Sequence, residues 1–416
     1  MCLIYYRLVK IKFQTLITKY EFLDKIIYMK KLYLQELNNY DAGKELEKIG
    51  FDSLYLNSAK RKYEFKTLKF CKLKAIEANI LKQTALSLSS DCAVHRNVIL
   101  NAEGEFDCLI SASISTFLKI AEKLKLQQFR LKEIAQLIEE NILSNDKEKI
   151  LKIRGKELNF SKEKYLMGIL NITPDSFSDG GKYFSHEKAE EQFKSLIMQD
   201  ADIIDIGAQS TKPNFKEIPA TEEIERLNLL FKSPEYINSN IIKSIDTFNY
   251  QTAQFALNNG CDIINDISGF KDKNMIQLAA DYKTPLILMF NQKMQEKSNL
   301  DTFSQMYEFF LRKIDELINA NIDKNKIIID CGFGFFDNNA ENIKILSQLA
   351  NLQALNCPIL LGISRKSFIN NLNIFSDLDN ASMLISSKYI QDINILRVHD
   401  VKTHKEMLNL YKTLKI

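Results

Sequence analysis

The sequence predicts an α/β protein with a (β/α)8 barrel in its C-terminal part and an additional N-terminal α/β region. Two observations predict the barrel. From Leu166 onward, eight short apolar runs alternate with helical stretches over roughly 250 residues, the usual size of such a barrel. The runs are rich in Ile, Leu and Val and apolar on both faces, as buried parallel strands are. A doubly wound open sheet is the alternative, but it does not need eight such units.

Each predicted strand is a run of six or seven residues that leads into a polar segment. In chain order, the strands are predicted at 166–171, 202–207, 241–246, 262–267, 285–290, 326–332, 358–364 and 394–400. Helices are predicted between them, for example at 186–200 and at 249–259, the second ending at Gly260, where a C-terminal glycine is favoured.

The chain is predicted to comprise three segments: 1–28, 29–155 and the barrel at 156–416. We interpret residues 1–28 as an extension that is not native, because "MKKLYLQELN" from Met29 resembles a fresh protein start. The region 29–155 contains amphipathic helices, predicted at 75–88 and 114–129, but no repeat and no chemical motif. Its function cannot be predicted.

Composition excludes several classes of protein. The chain is 45% hydrophobic and 26% charged with a net charge of +3, and no basic stripe indicates a nucleic-acid partner. No apolar stretch is long enough to predict a membrane span. The seven cysteines are widely spaced and form no C-x-x-C pair, which argues against a zinc or disulfide framework. A reducing cytoplasm is therefore the predicted location.

Polar side chains stand in or at the C-terminal end of nearly every predicted strand, and the C-terminal rim is where such barrels hold their active sites. A single polar residue there could simply cap the next helix, but so large a set is hard to attribute to capping alone. The set comprises Asn171, Asp205, Asp246, Asn265, Asp330, Arg397 and His399, with Arg365 and Lys366 following the seventh strand.

The residue types suggest a ligand with two chemically different parts. Asp246, Asn265 and Asp330 supply acceptors and one amide, which suit a flat heterocycle with several N–H groups along one edge. Lys366 could contact either part.

A second set of residues supplies donors for phosphate oxygens: Asn171, Thr211, Arg397 and His399. Phosphate sites in such barrels often lie near the loops after strands seven and eight. The carboxylates of Asp246 and Asp330 lie on different predicted strands, which is too scattered an arrangement for a preformed metal site. A Mg²⁺ ion carried on the phosphate with one protein ligand fits better, because Mg²⁺ keeps most of its waters.

Seven segments in chain order carry a family resemblance: "MGILNITPDSFSDGG" (167–181), "IIDIGAQSTKP" (203–213), "SIDT" (244–247), "INDISG" (264–269), "IDCGFGF" (329–335), "LGISRKSF" (361–368) and "RVHD" (397–400). Together they resemble the dihydropteroate synthase family across residues 155–416, within the wider group of pterin-binding barrels. The resemblance implies condensation of (7,8-dihydropterin-6-yl)methyl diphosphate with 4-aminobenzoate, giving 7,8-dihydropteroate and pyrophosphate in folate biosynthesis.

The resemblance also implies roles for individual residues. The implied pterin-binding set is Asp246, Asn265, Met289, Asp330 and Lys366. The implied diphosphate-binding set is Asn171, Thr211, Arg397 and His399, with Asn171 as the Mg²⁺ ligand. The implied aminobenzoate-binding set is Phe177, Pro213 and Ser367, and the implied catalytic set is Lys366, Arg397 and His399. The loop around Phe177 would act as a lid, flexible through Gly180 and Gly181. The family often forms homodimers through barrel helices, so the resemblance also implies a homodimer.

Four positions depart from the family pattern. Lys212 replaces the usual arginine of the second loop, which removes a forked donor. Phe290 and Asn291 replace residues of a common His-Met-Gln-Gly segment, and Cys331 stands where proline is common. None of these positions has an implied chemical role, so altered affinity is expected rather than lost activity.

Two other functions remain open from the sequence. One is a pterin-dependent methyltransferase on the same barrel, although a methyl donor needs no diphosphate pocket. The other is a non-catalytic pterin-binding protein, although a scaffold has no use for an anion-binding set.

Overall fold

The computed structural model describes residues 34–37, 41–101, 103–143, 148–173, 182–209, 217–372, 374 and 377–414, together with residues 10, 12, 14–16, 18 and 19. The chain divides into two compact units, residues 1–139 and 140–416. Among the helices that are described, none combines the length and apolar composition needed to cross a membrane.

The first unit is built on a three-stranded antiparallel sheet with the strand order β1–β3–β2. Its elements are α1 (Ala42–Lys48), α2 (Leu56–Tyr63), β1 (Phe65–Lys74), α3 (Ala75–Leu86), β2 (Asp91–Val94), β3 (Glu105–Ser113), α4 (Ile114–Lys125) and α5 (Leu131–Leu143), the last of which crosses the division between the units. The helices predicted at 75–88 and 114–129 correspond to α3 and α4. Both bury one face, as shown by Leu81, Phe117 and Ile120, each fully buried.

The second unit contains the predicted barrel. Its elements are β4 (Ile150–Ile153), β5 (Lys156–Asn159), β6 (Tyr165–Asn171), α6 (Lys182–Met198), β7 (Ile203–Gly207), α7 (Ala220–Phe231), α8 (Pro234–Asn238), β8 (Ile242–Asp246), α9 (Tyr250–Asn258), β9 (Ile263–Asp266), α10 (Lys273–Asp281), β10 (Leu286–Met289), α11 (Thr302–Asn319), β11 (Ile327–Asp330), α12 (Asn339–Leu346), β12 (Ile359–Leu361), α13 (Ser367–Asn370), α14 (Leu378–Lys388), β13 (Ile395–Val398) and α15 (Val401–Leu414).

Strands β6 to β13 pair in parallel in chain order, and β13 pairs with β6 to close the barrel. The predicted fold class is confirmed, and each of the eight predicted strands is found. Side chains facing outward from the strands pack against helix residues such as Phe193 of α6 and Phe310 of α11, both fully buried.

One layer of side chains fills the barrel interior near the start of the strands. All eight strands contribute an apolar residue to it: Met167, Ile203, Ile242, Ile263, Ile287, Ile328, Leu360 and Ile395. The β4–β5 hairpin packs against this layer through Leu151, Ile153 and Leu158, so it belongs to the same compact unit. The hairpin therefore covers the amino-terminal end of the barrel. We call this layer the apolar layer.

Candidate active site

The next inward positions along the strands are largely polar. Because side chains alternate along a strand, the residue two positions after each member of the apolar layer points the same way. In strand order these residues are Ile169, Asp205, Ser244, Asn265, Met289, Asp330, Gly362 and Arg397. We call this set the polar layer; it lies toward the C-terminal end of the barrel, where the sequence predicted the site.

Arg397 of the polar layer bridges two carboxylates, one in that layer and one at the end of β8. Arg397 donates from Nε to Asp205 Oδ2 over 2.6 Å and from a terminal nitrogen to Asp246 Oδ2, also over 2.6 Å. The side chains of Asp205 and Asp246 are 0% and 8% exposed, and that of Arg397 is 15% exposed. Strands β7, β8 and β13 therefore meet through one guanidinium group.

Asn265 joins the same cluster. Its side-chain Nδ2 donates to Asp205 Oδ2 over 2.9 Å, so one carboxylate oxygen accepts from both Asn265 and Arg397. With its amide nitrogen engaged, Asn265 can offer its carbonyl oxygen to a ligand. The other oxygens of both carboxylates, Asp205 Oδ1 and Asp246 Oδ1, are buried without a hydrogen-bond partner among the described residues. Buried acceptors of this kind require donors, so they point to a bound molecule.

The cluster contains more carboxylates than cations, and burial changes the ionisation of its members. Burial raises the pKa of Asp246 to about 7 despite the opposing effect of Arg397. Burial also raises the pKa of Asp330, and it lowers that of Lys366 to about 8, with Arg397 acting in the same direction. Burial opposes the charge on Arg397, but the carboxylates of Asp205 and Asp246 raise its pKa, so it stays protonated. Such shifts are typical of ligand-binding clefts.

Asp330, the last residue of β11, is held by the turn that follows. The backbone N–H of Gly332 donates to Asp330 Oδ1 over 2.8 Å. Gly332 has φ +72°, and a Cβ atom there would lie 1.8 Å from the carbonyl oxygen of Phe290. The turn therefore requires glycine. The neighbouring Cys331 is fully buried, with its side chain in the cluster outside the barrel interior.

An apolar wall lies beside Lys366. Met289, Ile267 and Phe335 form a small buried cluster, and the Lys366 ammonium group lies 4.9 Å from the centre of the Phe335 ring. A flat ring could pack against this wall while its edge meets the carboxylates.

Two further predicted residues lie at the rim. His399, which follows β13, contacts Ser364 through Nδ1 over 3.0 Å. Burial, together with Arg365 and Arg397, lowers the pKa of His399 to about 3, so the imidazole is neutral. At the end of β6, Asn171 Oδ1 lies 3.5 Å from the position a Cβ would take on Gly207, and Asp246 borders the same point.

Comparison with known proteins identifies the chain. A model of the pterin binding enzyme family matches residues 167–399, more than half of the chain. The chain belongs to the pterin-binding enzyme family. A dihydropteroate synthase from Streptococcus pyogenes is 38% identical over 255 residues, which are 60% of this chain and 95% of that protein.

Solved structures of pterin-binding enzymes agree with this assignment. The structure of Xanthomonas albilineans dihydropteroate synthase with 4-aminobenzoic acid covers 65% of this chain and 99% of its own, at 30% identity and a TM-score of 0.60. The same enzyme in complex with 7,8-dihydropteroate covers 64% of this chain and 98% of its own, at 29% identity and a TM-score of 0.57. Within the pterin-binding family, the chain is a transferase of the dihydropteroate synthase group, as the sequence predicted.

Several predicted site residues of this pterin-binding enzyme lie close together, whereas others lie outside the residues that the structure describes. Asp246, Asn265, Met289, Asp330, Lys366, Arg397, His399 and Asn171 lie in the polar layer or at the rim next to it. Ser367 is exposed at the first position of α13. Phe177, Pro213 and Thr211, as well as Lys212, Gly180 and Gly181, lie outside the described residues.

Sequence reasoning gave no role to two residues that the structure places in the site. Asp205 stands at a predicted strand end, but the sequence does not predict its contacts with Arg397 and Asn265. The sequence assigns no role to Ser364. For Asp205 a signal exists in the two-residue spacing, because Asp205 lies two positions after Ile203 on strand β7. Ser364 lies in the turn after β12, where this alternation does not apply.

Proposed function

We propose that the barrel binds (7,8-dihydropterin-6-yl)methyl diphosphate with its ring in the polar layer and its diphosphate at the rim, where 4-aminobenzoate displaces pyrophosphate. The observation that carries this proposal is that Asp205 Oδ1 and Asp246 Oδ1, beside the guanidinium of Arg397, are buried and have no hydrogen-bond partner among the described residues. A ring with N–H donors on one edge would give Asp246 Oδ1 the hydrogen-bond partner that it lacks.

The ring is assigned to the carboxylate side of the cluster. Asp246 and Asp330 accept from ring N–H groups, and Asn265 presents its carbonyl oxygen because its amide nitrogen is engaged by Asp205. Met289 and the adjacent Phe335 pack against one face of the ring. Lys366, in the loop after β12, compensates part of the negative charge of these carboxylates. These assignments follow from the donor and acceptor inventory of each side chain.

The diphosphate is assigned to the rim. His399 donates from its ring there. The other terminal nitrogen of Arg397 has no partner among the described residues and can donate as well. Thr211 completes this set as a sequence-based assignment. Asn171 supplies one carbonyl oxygen, and the described residues contain no group of three or more His, Cys, Asp or Glu side chains that could form a metal cage. A Mg²⁺ ion shared between Asn171 and the diphosphate fits this donor set and would neutralise charge on the leaving group.

The reaction then needs little proton transfer by the protein. The C–O bond to pyrophosphate breaks, and its electron pair leaves with pyrophosphate while the electron-rich ring stabilises the methylene carbon. The aromatic amine of 4-aminobenzoate is neutral near pH 7. It attacks the methylene and then passes its extra proton to the departing pyrophosphate or to water. Arg397 and His399 stabilise the charge on the leaving group. Phe177, Pro213 and Ser367 are assigned to the aminobenzoate pocket.

A crossed binding experiment tests the two halves of this assignment. Isothermal titration would measure the affinity of 6-hydroxymethyl-dihydropterin and, separately, of pyrophosphate with Mg²⁺. Asp330→Asn should weaken pterin binding about tenfold or more and leave pyrophosphate binding unchanged, because only the ring meets Asp330. His399→Ala should show the reverse pattern. Dihydropteroate formation by the unmodified protein is the positive control.

Equal effects of both substitutions on both ligands would contradict the division of the site into a ring side and a diphosphate side. Loss of pyrophosphate binding on omission of Mg²⁺ would support the shared ion, and unchanged binding would remove it from the proposal.

We also infer that the enzyme works in the cytoplasm as a homodimer. The six cysteines that the structure describes are all free, which suits a reducing compartment. Light scattering on the purified protein would give the mass in solution. A mass near 48.1 kDa would contradict the dimer.

A further inference from the structure

The loop after β12 places a serine hydroxyl directly against the predicted catalytic histidine. Ser364 is 4% exposed, and its Oγ lies 3.0 Å from His399 Nδ1. The same Oγ accepts a hydrogen bond from the backbone N–H of His399 over 3.2 Å. The hydroxyl thus contacts both the backbone and the ring of a single residue.

A hydroxyl group carries only one proton, which restricts how these two contacts can be made. The backbone N–H of His399 must be the donor in its contact, so Ser364 Oγ is the acceptor there. Among the described residues, His399 Nδ1 is the only acceptor within hydrogen-bond distance of the Ser364 hydroxyl. If Nδ1 carried a proton instead, the buried hydroxyl would have no acceptor, which is unfavourable.

The charges around the ring keep it neutral, so one ring nitrogen must lack a proton. Arg365, Arg397 and Lys366 all oppose protonation of His399, and Asp379 is the carboxylate that favours it. Asp379 is already engaged by both donor atoms of Arg365, at 2.8 and 2.7 Å. A neutral imidazole that accepts at Nδ1 carries its proton at Nε2.

We propose that Ser364 is a positioning residue that holds His399 in the Nε2–H tautomer, so that the imidazole acts as a neutral hydrogen-bond donor to the diphosphate rather than as a cation or a base. The inference rests on the proposed diphosphate role of His399. Ser364 itself acts only through the ring. The tautomer, however, is a property of the free protein and can be measured without a ligand.

Nitrogen NMR on protein labelled with ¹⁵N-histidine tests the tautomer directly. The chain contains only four histidines, and the His399→Ala spectrum assigns the signal of His399 by its disappearance. The expected result is a protonated Nε2 and an unprotonated Nδ1 at neutral pH. His404 provides an internal reference of the opposite kind, because its Nδ1 lies 2.8 Å from the carbonyl oxygen of Asp400 and must donate to it.

The substitution Ser364→Ala should shift the His399 signals toward a mixture of tautomers and lower kcat/KM about tenfold, equivalent to the loss of one hydrogen bond of about 1.4 kcal/mol. Ser386→Ala is the matched control, because Ser386 is also a fully buried serine but its Oγ has no partner among the described residues. That variant should leave both the His399 spectrum and kcat/KM unchanged.

A protonated Nδ1 in the unmodified protein would overturn the proposal, whether or not any variant folds. An unchanged His399 spectrum in Ser364→Ala would overturn it as well. Addition of pyrophosphate with Mg²⁺ should shift the Nε2 signal of the unmodified protein. A correct tautomer that does not respond to pyrophosphate would leave the role of Ser364 standing and would instead contradict the assignment of His399 to the diphosphate.

Discussion

The apolar layer and the polar layer lie two residues apart on the same strands, but they contribute differently to the stability of the fold. In the apolar layer, Ile203 and Ile395 are fully buried and pack against other hydrocarbon side chains, which stabilises the barrel. Two positions on, Asp205 is also fully buried and Arg397 is only 15% exposed, and their charges compensate each other as an ion pair. Burying charge costs free energy, so the polar layer does not stabilise the barrel as the apolar layer does. We attribute the polar layer to ligand binding, and the apolar layer supplies the stability that this cost requires.

The largest expected effect comes from removing the cation that connects the polar layer. Arg397→Ala should lower kcat on the order of 10³-fold, because it removes charge stabilisation of the leaving group and leaves Asp205 and Asp246 without their shared partner. Steady-state kinetics of pyrophosphate release would measure this loss.

Arg397→Lys is the control for charge alone. Lysine keeps the charge but cannot bridge two carboxylates with a rigid fork, so an intermediate loss is expected. Full activity in the lysine variant would show that the bridging geometry is unimportant.

In the apolar layer the expected effect falls on stability instead. Ile328→Ala should lower the free energy of unfolding by about 3 kcal/mol, because Ile328 is fully buried and its truncation leaves a cavity. Urea denaturation would measure the change, and KM should stay the same at temperatures where the variant is folded. Ile343→Ala on α12 is the control, since Ile343 is 49% exposed and its truncation should cost less than about 0.5 kcal/mol. Equal losses from the two variants would contradict the contrast between layers.

The sequence was sufficient to predict one aspect of this contrast but not the other. Ile-rich runs predicted the eight strands, and polar residues at their ends predicted the rim, because both signals are local. The role of Asp205 depends on Arg397, which is 192 positions away and reaches it only when β13 pairs with β6. Ser364 likewise meets His399 through the closure of β12 on β13. Contacts of this kind depend on the closed fold, and no single stretch of sequence contains them.

The pH dependence of stability distinguishes the layers further. The Asp246 carboxyl has an ordinary aspartate pKa of about 3.8 in the unfolded chain, and burial raises this pKa to about 7 in the folded protein. Between these values the folded state binds more protons, so this residue lowers stability progressively as the pH rises toward 7. Asp246→Asn removes that contribution. The stability of this variant relative to the unmodified protein should therefore increase with pH, by at most about 1.4 kcal/mol per unit. Parallel denaturation curves from pH 5 to pH 8 would contradict the raised pKa.

The smallest expected effect separates two adjacent cations that the sequence could not distinguish. Arg365 and Lys366 both follow β12. Arg365 is half exposed and forms an ion pair with Asp379. Lys366 lies against the Phe335 ring and interacts electrostatically with Asp330. Arg365→Ala should cost less than about 1 kcal/mol of stability, as exposed ion pairs usually do, and change kcat/KM less than about threefold. Lys366→Ala should lower kcat/KM about 100-fold, because it removes a cation that lies among the carboxylates on the ligand side. A loss in Arg365→Ala as large as in Lys366→Ala would mean that the outward ion pair also supports the site, through the repulsion that Arg365 exerts on a protonated His399.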